Sequence, residues 1–185
     1  MAPRSDAARN AELLITAAKE LFDQHGPEVA LDRIARRAGV GNATLYRHFP
    51  TRADLLIAVY EDEVAELCAL GQMHADAPDA GDALFTWLDA LAAHIADKGT
   101  LAFAGTEPHS TRRTALFDRW HASIRAIAER LVERAHEARA IRDDLTAADL
   151  LALANAAASA ADGPAHARRL TGFIRNGLQA QGTDL

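Results

Sequence analysis

Apolar residues recur along this chain at three- and four-residue intervals, the spacing of a helix with one buried face, and this predicts an all-α protein. Leu14, Ala17, Ala18, Leu21 and Phe22 mark the first such face, over 8–25, and Gly26 with Pro27 ends it. Residues 1–8 read as an irregular arm, either loose or reaching with Arg4 and nearby Arg9 toward a polyanion. Ile34, Ala35 and Ala38 form the apolar side of a second, short helix that Gly39 closes, with Val40 filling the turn. A third short helix follows from Gly41 or Asn42, with Leu45 and Phe49 as its buried edge and Pro50 as its stop. A long helix then opens at Thr51, with Asp54 three residues on as a capping-box partner, and its apolar pattern runs from Leu55 to about Met73.

The second half continues in the same manner. Residues 75–81 are rich in turn formers and look like the clearest break between domains. Helices are expected over 82–97, over 111–140 with Leu116, Trp120, Ile124, Ile127 and Leu131 as its stripe, from 145 to about 161, and from 164 to about 179. A short segment over 99–110, with Leu101 and Phe103, brings the expected total to about nine helices. The domain division expected is 1–58, an N-terminal three-helix head, joined by the long helix to a C-terminal bundle over 59–185.

Two short helices around a glycine turn, the second with polar sides, make a helix-turn-helix, whose second helix enters the DNA major groove. Charge sharpens this. Arg33, Arg36, Arg37, Arg47 and Arg52 fall within twenty residues that contain no Asp or Glu, in a chain of 185 residues with net charge −6. Residues 1–60 sum to +1, so the remainder carries −7. A basic island in an acidic protein is the footprint of a phosphate-contacting surface, although a solvated helical hairpin would carry the same charge.

The run Ile34-Ala35 through Ala38-Gly39-Val40, then Ala43-Thr44-Leu45-Tyr46-Arg47-His48-Phe49 and Thr51-Arg52 with Leu55, resembles the DNA-binding domain of tetracycline-repressor-like (TetR family) regulators. The likeness covers roughly residues 10–58. Ala30 and Gly41 depart from it, because the family commonly has Thr or Ser at the first and Ser at the second. Each change removes a capping hydroxyl, at about 1 kcal/mol for Ala30 and less for Gly41.

Chemistry assigns the exposed residues as follows. Tyr46 can donate to a phosphate while its ring packs on a sugar or a thymine methyl. Thr44 and Arg52 suit phosphate contact, and Arg33 belongs to the same basic surface. Asn42 and Arg47 are the base-reading candidates, because an amide suits adenine and a guanidinium suits guanine. His48 serves either use. The resemblance implies that Thr44, Tyr46, His48 and Arg52 touch the backbone and that Asn42, Ala43 and Arg47 set sequence preference.

Apolar pockets with a few polar groups are the usual ligand sites of helical bundles. Candidate wall residues here are Trp87, Leu91, His94, Phe103, Trp120, His121 and Ile124, with Asn155 as a polar contact; each reads as plain core before it reads as pocket lining. The last two helices, with Leu150, Ala154, Ala157, Ala161, Leu170, Phe173, Ile174 and Leu178, either complete one chain's core or pair with a second copy. The resemblance implies pairing, in a four-helix dimer interface.

The five histidines of the second half show no metal-ligand spacing, and no nucleophile elbow, Walker loop or dinucleotide fingerprint occurs, so no cofactor, metal or catalytic role is expected. Cys68 alone excludes an internal disulfide and reads as a small buried hydrophobe. With a polar start and no apolar run near membrane length, the chain is expected to be soluble and cytoplasmic. The resulting expectation is a homodimeric, sequence-specific DNA-binding regulator. By resemblance it is a repressor released from a palindromic operator by a small molecule. An architectural or activating DNA binder without a ligand, or a helical enzyme, are the rival readings.

Overall fold

Residues 3–98 and 111–178 are described in the computed structural model, with side chains described over 6–97 and 118–178. Among them are eight helices and no strand: α1 (Pro3–His25), α2 (Leu31–Ala38), α3 (Asn42–His48), α4 (Arg52–His74), α5 (Ala80–Lys98), α6 (Thr111–Glu137), α7 (Ala147–Ala160) and α8 (Pro164–Leu178). The short helix expected within 99–110 lies outside the described residues. The irregular arm expected over 1–8 is corrected, since α1 is already helical at Pro3. Proline is favoured at the first helical position, where its missing N–H has no partner to lose, and Asp6 lies in the first turn.

The chain divides into two compact units between Glu63 and Val64. In the first, α1, α2, α3 and the start of α4 bury Leu14, Phe22, Ile34, Leu45, Phe49, Leu55, Leu56 and Val59 in one core. Val59 belongs to this core, which carries the unit past residue 58. Gly39 ends α2 at φ 70°, a left-handed conformation that glycine adopts without a Cβ clash. Its N–H donates to the Arg36 carbonyl at 3.2 Å and that of Val40 to the Ala35 carbonyl at 3.0 Å, turning the chain within three residues. At the start of α4 the expected capping box is formed: the Asp54 N–H donates to Thr51 Oγ1 at 3.2 Å, and the Thr51 N–H to Asp54 Oδ2 at 3.1 Å.

The second unit packs the end of α4 with α5, α6, α7 and α8 around Leu67, Leu84, Trp87, Leu91, Leu131, Ile141, Leu150 and Ala154. Trp87 is fully buried, and its indole N–H donates to the Leu67 carbonyl of α4 at 3.0 Å. A side chain on Gly71 would collide with Ile127 and with the Trp87 ring, so the absent Cβ permits this close approach. Arg134 of α6 donates to the carbonyls of Ala75 and Ala77 just past the end of α4. Residues 75–79 are therefore a turn inside the second unit, not the domain break that their composition suggested. Past the end of α6 the left-handed residue is Arg139 (φ 54°), and the Ala140 N–H returns to the Ala135 carbonyl at 2.9 Å.

Candidate nucleic-acid interface

Helix α3 is a two-sided element. Leu45 and Phe49 are buried in the first core, while Asn42, Ala43, Tyr46 and Arg47 stand in water. These four occupy positions i, i+1, i+4 and i+5, which is one continuous stripe along the helix. Tyr46 is 52% exposed, far more than a tyrosine held between helices by its ring. Thr44 and His48 flank the stripe half-buried, and the His48 ring lies 6.2 Å from that of Phe49. Gly41 precedes the helix in an extended conformation (φ −72°, ψ 150°) and gives no side-chain cap, as Ala30 gives none to α2. Both missing hydroxyls therefore leave helix N–H groups uncapped by side chains at the two starts.

The five arginines differ sharply in their surroundings. Arg37 donates through Nε at 2.8 Å and approaches through Nη2 at 2.6 Å, both to Glu20 Oε2 of α1. Arg36 Nη2 pairs with Asp32 Oδ2 one turn earlier on α2, at 2.7 Å. The side chains of Arg33 and His25 meet at 2.8 Å, Nη2 to Nε2. Arg52 is half-buried and donates through Nη1 to the Pro27 carbonyl at 2.6 Å, leaving further N–H groups of its guanidinium for another acceptor. Arg47 has no recorded partner among the described residues. Among the described residues, then, α3 offers the guanidinium of the basic island that has no internal acceptor.

The parts played by Glu20, His25 and Pro27 escape a reading of the sequence. They belong to α1 and the corner after it, and their arginines lie eight to twenty-five residues away. No local periodicity connects such positions.

The candidate ligand residues of the second unit differ in burial. Trp87 and Leu91 are buried in its core, and Ile124 packs against that core. Trp120 is buried, His94 half-buried, and His121 and Asn155 exposed; Phe103 lies outside the described residues. Among the described residues a small apolar pocket is lined by Phe85, Leu88, Leu150, Leu153, Ala154, Thr171 and Ile174, from α5, α7 and α8. Among the residues expected to pair with a second copy, Leu150 and Ala154 are core residues of the single chain, and Ala157 is buried as well. Ala161, Leu170, Ile174 and Leu178 are half-buried, while Phe173 is 63% exposed. Cys68 packs against the core, and burial pushes its thiol pKa up, which disfavours a reactive thiolate. Among the described residues no helix is long and apolar enough to cross a membrane, and no cluster of His, Cys, Asp and Glu is suited to a metal.

Comparison with known proteins bears on both units. Residues 14–59 match the family model of bacterial regulatory proteins of the tetR family, and residues 79–180 match that of the SbtR-like transcriptional regulator C-terminal domain. The crystal structure of a TetR transcription regulatory protein from Mycobacterium vanbaalenii is 30% identical, with a TM-score of 0.75 over 95% of this chain and 98% of that one. A TetR transcriptional regulator from Streptomyces coelicolor is 27% identical, with a TM-score of 0.74 over 93% of this chain and 99% of its own. An HTH-type transcriptional regulator of Staphylococcus aureus is 39% identical over 62 residues, 33% of this chain and 34% of the relative. The match thus spans about a third of the length of such curated relatives.

Proposed function

The chain belongs to the TetR family of bacterial regulatory proteins, and on that premise we propose that it is a homodimeric repressor that holds a palindromic operator and releases it when a small molecule binds. The observation that carries the DNA-binding part is the exposed stripe of α3. Asn42, Tyr46 and the unengaged Arg47 project from a helix whose other edge is fixed in a core. Asn42 and Arg47 read base edges, with Ala43 beside them, while Thr44, Tyr46, His48, Arg33 and Arg52 meet the backbone. One such head makes few contacts; two related by a two-fold axis read two half-sites of a palindrome.

Dimerisation is assigned to α7 and α8, with Phe173 as the apolar residue most in need of cover. The effector is assigned to the second unit and acts through α4, which runs unbroken from Arg52 to His74. It needs only a different affinity for the operator-competent and operator-incompetent states, and about 1–3 kcal/mol of coupling is typical. The protein is read as non-enzymatic and cytoplasmic, where an operator is accessible.

Selection of bound sequences from random duplex DNA, followed by affinity measurement against salt, tests this reading. A palindromic winner with a steep salt dependence is expected. No enrichment, with only weak and uniform binding, would overturn it.

A further inference from the structure

Two of the five arginines in the head are already neutralised by carboxylates of the same chain. Arg37 sits on Glu20 at 2.6 Å and Arg36 on Asp32 at 2.7 Å. All four side chains are well exposed, with 58% and 42% of the first pair and 76% and 51% of the second open to solvent. Exposed ion pairs add little to folding stability, because water screens them and holding two long side chains costs entropy. Stability is thus a weak reason for placing acids against these arginines. Their effect on a third charged partner is larger, since each carboxylate offsets its arginine's charge and occupies guanidinium N–H donors that a phosphate would otherwise take.

We infer that Glu20 and Asp32 are intramolecular competitors of DNA phosphate that restrain sequence-independent binding by the head. Arg37 and Arg36 are withheld from the phosphate contacts, whereas Arg47 on the base-reading helix is not. The acids therefore subtract from the part of the affinity that every DNA sequence shares and leave the sequence-dependent part intact. For a protein that must find one site among many, the ratio of specific to non-specific affinity matters more than either alone. This inference rests on the DNA-binding reading proposed above.

The test is the binding of the full-length chain to a duplex of mixed sequence, titrated over a range of salt. Glu20→Gln should raise affinity about three- to tenfold at low salt and steepen the slope of log K against log salt by about 0.9, the signature of one additional phosphate contact. Glu12→Gln removes the same charge from α1 at an exposed residue with no recorded partner among the described residues, and should leave the slope unchanged. In an Arg37→Gln background, Glu20→Gln should gain nothing. Asp32→Asn, alone and with Arg36→Gln, repeats the comparison on the second pair, and thermal melts of every variant verify folding. An equal gain from Glu12→Gln, a gain that survives without Arg37, or no gain from Glu20→Gln would each overturn the inference. Failure of the unaltered chain to bind duplex at any salt would instead remove the proposed function and this inference with it. Salt-dependent binding that ignores the substitutions would remove the inference alone.

Discussion

Helices α3 and α8 each bury one side and expose hydrogen-bond donors on the other, but α8 adds an exposed benzyl group. On α3 the residues in water are Asn42, Ala43, Tyr46 and Arg47, three of them able to donate hydrogen bonds. On α8 they include Arg168, Arg169 and Phe173, and the half-buried Leu170, Ile174 and Leu178 extend an apolar margin beside Phe173. A donor-rich stripe gains by meeting a polyanion with base edges to read. An exposed benzyl group gains by leaving water, at about 25 cal/mol per Å² of apolar surface covered. Exposure alone thus does not distinguish a nucleic-acid surface from a protein surface; the chemistry of what is exposed does. The comparison also shows how each helix is anchored. Leu45 and Phe49 tie α3 to a core of long aliphatic and aromatic residues, whereas α8 enters its own through Ala167, where a small side chain lets the helices approach closely.

A single substitution should act most strongly on the exposed ring of α8. Phe173→Asp should raise the dimer dissociation constant at least about 30-fold, the range of a central interface residue, and should leave the melting temperature of the monomer almost unchanged. Sedimentation equilibrium measures the first and calorimetry at low concentration the second. Unaltered association would move the proposed interface off α8.

On the α3 side, Arg47→Ala should cost about 1–3 kcal/mol at particular operator positions and almost nothing on a mixed-sequence duplex. Equal losses on both DNAs would make Arg47 a phosphate contact. Arg52→Ala should do the reverse, weakening all sequences alike and flattening the salt slope by about one. Because Arg52 also donates to the Pro27 carbonyl, an unchanged slope with a lowered melting temperature would assign this guanidinium to the corner after α1 rather than to DNA.

What could be read in the chain without its structure follows a physical division. Breakers and caps act over three or four residues, so Gly26 and Pro27, Gly39, Pro50 and the Thr51–Asp54 box mark helix limits that hold in three dimensions. The buried edge of α3 was equally legible, because Leu45 and Phe49 lie one turn apart. Tertiary partners leave no such trace. Nothing local tells that Glu20 will take Arg37 or that the Pro27 carbonyl will take Arg52. The turn at 75–79 resembles a linker in composition, and only the Trp87 bond to Leu67, the gap at Gly71 and the Arg134 bonds reveal that both sides of it belong to one core. Leu150 and Ala154 illustrate the remaining ambiguity: an apolar helix face looks the same whether its own chain or a second copy covers it.

Subtler consequences follow from how these helices begin. Helix α3 starts at Gly41 with no side-chain cap, whereas α7, which leads into α8, starts at Thr146 in a reciprocal box with Asp149. The Thr146 hydroxyl, and after it the Thr146 backbone N–H, hold the Asp149 carboxyl below the ordinary carboxylate range. A carboxyl depressed in the folded state stabilises it above the unfolded value of about 3.9, and the contribution is lost as pH falls through the lower folded value. Asp149→Asn should therefore lower the melting temperature slightly at pH 7, and the gap to the unaltered chain should close in acid. A gap independent of pH would show that packing rather than ionisation holds this end. Gly41→Ser, which adds a hydroxyl where a Cβ meets nothing within 4 Å, should stabilise α3 by a few tenths of a kcal/mol. A hydroxyl does not titrate in this range, so that gain should persist through the acid region in which the α7 cap fails.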